Sequence, residues 1–290
     1  MNGLREALKA TKTLWAAGAY DALSARLIDE AGFDVVFTTG FGISASYLGQ
    51  PDVELYTMTE NLNVVRQVVN CVRKPVVADC DTGYGNAINV QRTVREFENA
   101  GVAGLVIEDQ ETPKRCPAIA ATVEIAPLAT AVAKIKAALD ARSNADLVII
   151  ARTDAETVDE AIERAQAYAA AGADMIQPID KTFAKEADLR RLKASVPVPL
   201  SIPINVGIEK LPSSVLCEVA SLAVFPLVPL LTVCDALRAN LAALARSHST
   251  HGLPRPRMEL AEFKSMIGFP RIEALQAQYV TQGTQLKAAE

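Results

Sequence analysis

Two apolar segments that each end in carboxylates constrain the fold of this chain most strongly. Residues 76–78 lead directly into Asp79 and Asp81 at a glycine-rich turn, and residues 104–107 lead into Glu108 about one helix later. In an α/β barrel, parallel strands of this kind all end at the same rim. We therefore predict that the three carboxylates meet at the carboxyl-terminal rim of a barrel.

A repeated unit supports this architecture. A helix that ends in Ala-Gly and continues at once into an apolar strand occurs at residues 31–37, 100–107 and 171–176. Such recurrence indicates βα units wound in one direction. With the remaining apolar segments the count reaches eight strands, which begin near residues 14, 35, 76, 104, 147, 174, 200 and 222. We predict a (β/α)8 TIM-type barrel, with a doubly wound open sheet as the alternative.

The helical pattern continues beyond the eighth unit. Residues 1–246 are assigned to the barrel and residues 247–290 to a C-terminal helical extension, which regains helical patterning at residues 260–266 and 272–282. These surplus helices need an apolar surface to pack on. They cover either the barrel itself or a neighbouring subunit.

Composition and charge exclude several classes of protein. The 290 residues suit a single α/β barrel, and a net charge of −5 without long runs of one sign favours neither nucleic acid nor an anionic membrane. Five cysteines without CxxC spacing and only two histidines argue against a zinc cage, a disulfide framework or a His-containing triad. The first fifteen residues contain no apolar block typical of a signal peptide, so we expect a cytoplasmic protein.

The rim residues suggest two kinds of chemistry. Clustered carboxylates at Asp79, Asp81 and Glu108 suit a hard divalent cation, Mg²⁺ or Mn²⁺, whereas the alternative is a solvated surface cluster. Arg152 ends another apolar strand and would point a permanent cation toward the same rim, where a substrate carboxylate or phosphate could bind. The alternative for Arg152 is an internal ion pair with Asp154 or a barrel carboxylate.

Two loops complete the candidate site. Cys116 follows Lys114 and Arg115, whose charges would lower the pKa of its thiol and suit it to acid/base work, although a cysteine there could equally be a small loop residue. Residues 39–42 follow the second strand as a glycine-containing turn, whose backbone N–H groups are predicted to face a ligand. The segment 47–56 is interpreted either as part of a lid or as a solvated connection.

Five ordered motifs resemble the isocitrate lyase and phosphoenolpyruvate mutase superfamily. They are GAYDALSA (18–25), TTGFGISAS with LGQPD after it (38–52), DCDTGYGN (79–86), IEDQ followed by PKRC (107–116) and ARTDA (151–155). The resemblance extends from about Ala16 to at least Leu227. It implies a (β/α)8 barrel, Mg²⁺, an enolate or oxyanion derived from a 2-oxo acid, and a mobile loop over the site. It also implies a homotetramer whose C-terminal helices are exchanged between subunits.

Matched position by position, the resemblance assigns roles to individual residues. The implied Mg²⁺ ligands are Asp79, Asp81 and Glu108, with Asp79 nearest the ion. The implied catalytic residues are Cys116, Arg152 and Asp52, with Cys116 as proton donor and acceptor. A small carboxylic acid substrate would contact a further set, comprising Thr39, Gly40, Phe41, Lys114, Pro203 and again Arg152.

Departures from the superfamily pattern concern the other half of the pocket. Cys116 is followed by Pro117-Ala118 where succinate-releasing lyases have Gly-His, and apolar residues replace a glutamate, an asparagine and a serine at Ile179, Pro203 and Val228. Losing several polar contacts to a dianionic fragment should exclude isocitrate and methylisocitrate. We therefore expect a Mg²⁺-dependent carbon–carbon lyase, or the reverse condensation, that acts through a pyruvate-like enolate with a more apolar second fragment than succinate.

Other functions remain open at this point. Oxaloacetate decarboxylation or hydrolysis needs only the 2-oxo acid half of the pocket. Phosphonopyruvate-type mutase or hydrolase chemistry ranks lower because Cys116 occupies the loop where that branch differs. A catalytically silent binding protein is the alternative from a different class.

Overall fold

A computed structural model describes residues 3–10, 12–116, 122–205 and 207–280. The chain divides into two compact units, Met1–Thr232 and Val233–Glu290. The first unit contains eight parallel strands in the order β6-β5-β4-β3-β2-β1-β8-β7. A bridge between Ile176 and Leu200 joins the two ends of this sheet, which closes the (β/α)8 barrel predicted from the sequence and excludes the open sheet.

The strands are short and buried on both faces, as expected when helices cover the outside of a barrel. Their bounds are β1 Leu14–Ala19, β2 Val35–Thr38, β3 Val76–Asp79, β4 Gly104–Glu108, β5 Val148–Thr153, β6 Met175–Pro178, β7 Ser201–Pro203 and β8 Leu222–Phe225. The helices of the barrel unit are α1 Leu4–Ala7, α2 Ala22–Glu30, α3 Gly40–Ile43, α4 Met58–Cys71, α5 Ala87–Asn99, α6 Leu128–Ala141, α7 Val158–Ala171, α8 Glu186–Ser195 and α9 Ser213–Val219. Helix α10, Val228–Ser247, begins in this unit and continues into the second.

Capping residues set the helix starts more accurately than apolar periodicity does. Helix α4 begins at Met58 because Thr57 and Glu60 form a reciprocal capping box, whereas the apolar pattern alone predicts a start at Asn61. Helix α5 begins at Ala87 because the side chain of Asn86 accepts the N–H groups of residues 88 and 89. Both caps lie at the carboxyl-terminal rim, so they also fix the loops that carry the candidate site.

The segment after β2 is helical, and its prediction as an open turn was wrong. Helix α3 continues directly into a π-helix, Ser44–Leu48. The Gly40 N–H donates to Asp79 Oδ2 at 3.2 Å, and the Gly42 N–H donates to Thr39 Oγ1 at 3.3 Å. These N–H groups therefore hold the rim together and are not free for a ligand.

The interior of the barrel is apolar at the end opposite the carboxylates. Leu4 of α1 is fully buried against inward-facing side chains of the strands, among them Val35, Val77 and Ile150. At the other end the register of the strands aligns Glu108 with Arg152 and Arg152 with Gln177. A row of polar side chains therefore crosses β4, β5 and β6 at one level of the barrel.

The second unit consists of the distal part of α10 with α11, Leu260–Ile267, and α12, Phe269–Tyr279. Large apolar side chains on these helices are exposed, including Leu237, Leu241, Leu260 and Ile272. Among the described helices only α10, with a mean hydropathy of 1.4, is long and apolar enough to cross a membrane, a property that core helices of other proteins share. The exchange of these helices between subunits stays a prediction.

Candidate active site

The carboxyl ends of the strands surround a cavity of about 280 Å³. Most of the residues predicted to form the site line it, namely Thr39, Phe41, Asp52, Asp79, Cys116, Arg152 and Pro203. The other predicted residues, Gly40, Asp81, Glu108 and Lys114, lie around this lining and are buried. The sequence motifs therefore converge on one place.

Asp79 and Asp81 come together for a different reason than strand alternation. Strand β3 ends at Asp79, and Asp81 has a φ of 49°, in the left-handed region, so the chain leaves the extended conformation between them. The Asp81 N–H donates to Asp79 Oδ1 at 3.2 Å. Gly40 packs over both carboxylates, because a Cβ there would lie 2.7 Å from the Tyr56 hydroxyl and 3.1 Å from each aspartate. A tight turn and a close backbone approach thus bring the two acids together.

Two tyrosines hold Asp81, and sequence reasoning missed both. The hydroxyls of Tyr56 and Tyr84 donate to Asp81 Oδ2 at 2.6 and 3.0 Å. Asn61 Nδ2 in turn donates to the Tyr84 hydroxyl at 2.6 Å and to the Asp79 carbonyl at 2.8 Å. Only Tyr84 lies inside a recognised motif. A separate, more open cavity of about 400 Å³ adjoins Tyr56 and Tyr84 but is not lined by the predicted catalytic residues.

Lys114 lies among the carboxylates rather than beside the substrate cavity. Its ammonium contacts Asp81 Oδ1 closely, Asp52 Oδ2 at 3.1 Å and Glu108 Oε1 at 3.7 Å. Burial lowers the pKa of Lys114, but Asp81, Glu108 and Asp52 together raise it well above its ordinary value. Lys114 is not among the residues that line the cavity, and its contact with substrate stays a prediction.

The cluster carries an excess of negative charge. Asp52, Asp79, Asp81 and Glu108 bring four carboxylates against the two cations Lys114 and Arg152. Burial raises the pKa of Asp52 to about 6 although Lys114 opposes it, and burial followed by the charge of Asp81 raises the pKa of Asp79. Burial also raises the pKa of Glu108 well above its ordinary value, against Arg152 and Lys114. An additional cation would stabilise the ionised forms of these carboxylates.

The donor set fits a hard divalent cation in its chemistry. Asp52 Oδ1, Asp81 Oδ1 and both oxygens of Glu108 are buried and accept no hydrogen bond from a described residue, although ion pairs reach Asp81 and Glu108. Carboxylate oxygens are the ligands that Mg²⁺ prefers. Within the described ranges, however, no three His, Cys, Asp or Glu side chains already converge in ligand geometry. The Lys114 ammonium instead lies between them, and the assignment of Asp79, Asp81 and Glu108 as ligands stays a prediction.

Arg152 forms the internal ion pairs that were its alternative interpretation, and its binding of a substrate anion stays a prediction. Its guanidinium binds Asp154 through two parallel bonds, at 2.8 and 2.9 Å, and Glu108 Oε2 at 2.9 Å. The side chain is nevertheless 13% exposed and lines the cavity. The internal ion pairs therefore orient the cation without closing it off from a ligand.

The loop that follows β4 is held at both ends. Residues 110 and 125 form an antiparallel bridge, and Arg164 Nη1 of α7 donates to the Ala126 carbonyl at 3.0 Å. Gln110 Nε2 donates to Asp154 Oδ2 at 2.5 Å, while its Oε1 accepts the Arg115 N–H at 3.0 Å. The base of the loop is thus connected to the carboxylate that orients Arg152.

Cys116 lies at the end of the described part of this loop. Its side chain is 7% exposed and lines the cavity. Lys114 is occupied by carboxylates, and the Arg115 guanidinium contacts Glu124 Oε1 at 3.4 Å. The predicted departure at Pro117-Ala118 lies outside the described residues. Position supports a role for Cys116, and its role as proton donor and acceptor stays a prediction.

The remaining wall of the cavity is partly apolar. Ile179 and Pro203 line it as predicted, together with Val224, Pro226 and Leu227. Val228 does not, because it is 54% exposed at the start of α10; the expected contribution of the eighth strand comes instead from Val224. The same wall also carries polar residues that sequence reasoning missed, namely Gln177, Asp180, Lys181 and Asn205. Strand alternation could have identified Gln177, which lies two residues before Ile179.

Comparison with known proteins agrees with the fold and with the superfamily that the sequence motifs resemble. The family model described as phosphoenolpyruvate phosphomutase matches residues 4–228. The 2,3-dimethylmalate lyase of Eubacterium barkeri is 39% identical over 284 residues, covering 96% of this chain and 97% of that protein. An oxaloacetate decarboxylase of Rhodopseudomonas palustris (strain BisB18) is 40% identical over 207 residues, covering 70% and 69%.

A solved structure extends the similarity to three dimensions. The complex of a phosphonopyruvate hydrolase with oxalate and Mg²⁺ superposes with a TM-score of 0.86 at 29% identity, covering 96% of this chain and 98% of that one. That hydrolase thus binds both Mg²⁺ and the small dicarboxylate oxalate. The chain itself belongs to the phosphoenolpyruvate phosphomutase family and is an enzyme of the superfamily that unites these mutases with the isocitrate lyases.

Proposed function

We propose that this enzyme is a Mg²⁺-dependent carbon–carbon lyase that cleaves a malate bearing alkyl substituents into a 2-oxo acid and a short monocarboxylic acid. The observation that carries the proposal is the division of the cavity. Asp79, Arg152 and Cys116 line one part, and a partly apolar wall that includes Ile179 and Pro203 lines another. Similarity to 2,3-dimethylmalate lyase over nearly the whole chain supports the same substrate class.

Asp79, Asp81 and Glu108 would hold the metal ion, with Mn²⁺ as the alternative ion. A bound Mg²⁺ would supply Lewis-acid stabilisation of negative charge on the C2 oxygen. Arg152 would bind the adjacent C1 carboxylate through the face of its guanidinium that lines the cavity. Thr39, Gly40 and Phe41 would form the floor beneath this half of the substrate.

The reaction balances with groups that line the cavity. Asp52 would accept the proton of the C2 hydroxyl, after which the C2–O bond becomes a carbonyl and the C2–C3 bond breaks. The electron pair of that bond remains on C3, where the Cys116 thiol would deliver a proton. The enolate therefore forms on the departing acid, whereas the pyruvate-like enolate expected from sequence belongs to oxaloacetate decarboxylation.

The apolar wall supports alkyl substituents on C2 or C3. Burying one methylene there stabilises binding by about 0.8 kcal/mol, which corresponds to a preference of roughly four-fold for each added carbon. A second carboxymethyl group, as in isocitrate, would place a charge near Ile179 and Pro203, on a wall whose cation Lys181 already contacts Glu156 Oε1 at 3.6 Å. We propose that tricarboxylates are excluded for this reason.

A substrate panel tests the proposal. The purified enzyme with Mg²⁺ is given 2,3-dimethylmalate, 2-methylmalate, methylisocitrate, oxaloacetate and phosphonopyruvate, and the 2-oxo acid product is measured by coupled reduction. We expect turnover of the substituted malates, its loss on chelation, and its loss in Cys116→Ser with oxalate binding retained. Unchanged turnover in Cys116→Ser would remove the cysteine from the mechanism.

Oxaloacetate decarboxylation is the second candidate, because a decarboxylase is similar at 40% identity over 207 residues. Oxaloacetate needs only the side of the cavity that contains Asp79 and Arg152. Turnover of oxaloacetate with none of the substituted malates would favour this candidate. Metal-dependent binding of oxalate without any turnover would favour a silent binding protein, and release of phosphate from phosphonopyruvate would favour the hydrolase branch.

A further inference from the structure

One of the polar side chains on the partly apolar wall, Gln177, is held in its orientation by a buried hydrogen bond. Gln177 on β6 is 3% exposed and lines the cavity, and Ser201 on β7 is fully buried beside it. The Ser201 hydroxyl donates to Gln177 Oε1 at 2.8 Å. In the described part of the chain this carboxamide oxygen is the acceptor that satisfies the buried hydroxyl hydrogen.

This bond determines which end of the carboxamide faces the cavity. If the amide were rotated, the Ser201 hydroxyl hydrogen would lose its acceptor in a buried position, which costs about 1–3 kcal/mol. The Nε2 group of Gln177 makes no hydrogen bond to a described residue, and it is not completely buried. It is therefore an N–H donor open to the cavity.

The strand register locates this donor relative to the rest of the site. Gln177 is aligned with Arg152 on β5, and Arg152 is aligned with Glu108 on β4. Ile179, Pro203 and Gln177 lie on the same side of the cavity, away from Asp79. The donor therefore lies one strand beyond the guanidinium, toward the half of the cavity left for the departing fragment.

We propose that Gln177 is a specificity-determining residue that donates a hydrogen bond to the second carboxylate of the substrate, and that Ser201 is its positioning residue. The substrate class is thereby restricted to four-carbon-backbone diacids, in which a carboxylate lies on C3. The neutral Gln177 amide binds this carboxylate, and the apolar side chains of Ile179 and Pro203 contact alkyl substituents on the substrate. The inference deepens the proposed function and rests on its division of the cavity into two halves.

Equilibrium binding tests the inference without requiring turnover. Two probes are titrated by calorimetry in Mg²⁺ buffer: oxalate, which fills only the 2-oxo acid half, and 3,3-difluorooxaloacetate, which adds a second carboxylate and has no C3 proton to lose. The variants are Gln177→Met, which keeps the length of the side chain, and Gln177→Met with Ser201→Ala, which also removes the buried hydroxyl. Gln67→Met, on an exposed face of α4, is the matched control.

Both Gln177 variants should bind difluorooxaloacetate about 10- to 100-fold more weakly than the unmodified enzyme, with oxalate affinity unchanged within about two-fold. Ser201→Ala alone should weaken difluorooxaloacetate several-fold, because the amide is then free to rotate. Equal weakening of both probes would indicate a structural role and overturn the inference. The inference would also be overturned if the Gln177 variants bound difluorooxaloacetate as tightly as the unmodified enzyme does. It would be overturned as well if the unmodified enzyme bound oxalate but not difluorooxaloacetate. Gln177-dependent binding without turnover of any substituted malate would instead refute the proposed lyase and leave the inference standing.

Discussion

The buried ammonium of Lys114 makes a prediction that connects metal binding to stability. In Lys114→Met the side chain keeps most of its volume, but Asp52, Asp81 and Glu108 lose their shared counter-ion. Removing one partner of a buried ion pair costs about 3–5 kcal/mol because the other charge is left uncompensated. Here three carboxylates are affected, so we expect a loss near the upper end of that range when no divalent cation is present.

Magnesium should reverse part of this loss. A ligand at 100 times its dissociation constant stabilises the folded state by about 2.7 kcal/mol. Because the variant lacks a positive charge among the proposed ligands, we expect its Mg²⁺ affinity to rise at least about ten-fold, which adds about 1.4 kcal/mol to that stabilisation. The variant should thus be less stable than the unmodified enzyme in both buffers, by about 1.4 kcal/mol less in Mg²⁺ than in chelator.

Urea unfolding with chelator and with Mg²⁺ measures both effects, and Lys134→Met is the matched control. Lys134 is also buried, but its ammonium donates to the Thr82 carbonyl at 3.1 Å instead of pairing with carboxylates. Its replacement should cost about 1–3 kcal/mol equally in both buffers. If Lys114→Met responds to Mg²⁺ no more than Lys134→Met does, Lys114 is not competing with a cation and the reasoning fails.

Three further predictions concern other parts of the molecule. Tyr56→Phe removes the 2.6 Å bond to Asp81 and should weaken Mg²⁺ binding by about 10-fold in calorimetry, because groups behind a ligand orient it; unaltered affinity would argue that Asp81 is not a ligand. Glu98 accepts the N–H groups of residues 143 and 144, which outweighs the opposing effect of burial and lowers its pKa, so Glu98→Gln should reduce unfolding free energy by about 0.5–1 kcal/mol at pH 7. Since a lowered pKa gives stability that is lost as pH falls through it, the difference should vanish in denaturant titrations at low pH; a constant difference would contradict this origin. If α10 packs on another subunit as proposed, Leu237→Glu should convert a tetramer into smaller species in light scattering, and an unchanged mass would refute that packing.

The fold was predictable because its causes are local. Each strand is a short apolar segment, several of the helices that follow (α2, α4, α5 and α7) have an Ala-Gly end or a capping side chain, and parallel winding leaves few topologies for eight such units. The errors are also local: the helix after β2 looked like a turn because Gly40 and Gly42 have low helix propensity. Their N–H groups bond to Asp79 and to Thr39, and these contacts outweigh propensity.

The site was predictable in its members but not in their partners. Carboxylates at strand ends must meet at one rim, and they do. The position of the Lys114 ammonium, in contrast, depends on the path of a loop over distant residues such as Asp52, and no periodicity encodes that path. Tyr56 was missed for the same reason, since it reaches Asp81 across 25 positions of sequence. Gln177 was missed although alternation places it beside Ile179.

The division of the cavity between strands has a consequence for how such enzymes diversify. Ion pairs and short hydrogen bonds connect the residues of β3, β4 and β5 to one another, so a change at Asp81, Glu108 or Arg152 affects several partners at once. Between the described side chains of β6 and those of β7 there is one hydrogen bond, from Ser201 to Gln177, and neither side chain takes part in the ion pairs of the other strands. Substitutions on those two strands should therefore combine nearly additively with the rest, which lets a lineage exchange one substrate for another while its reaction chemistry is inherited unchanged.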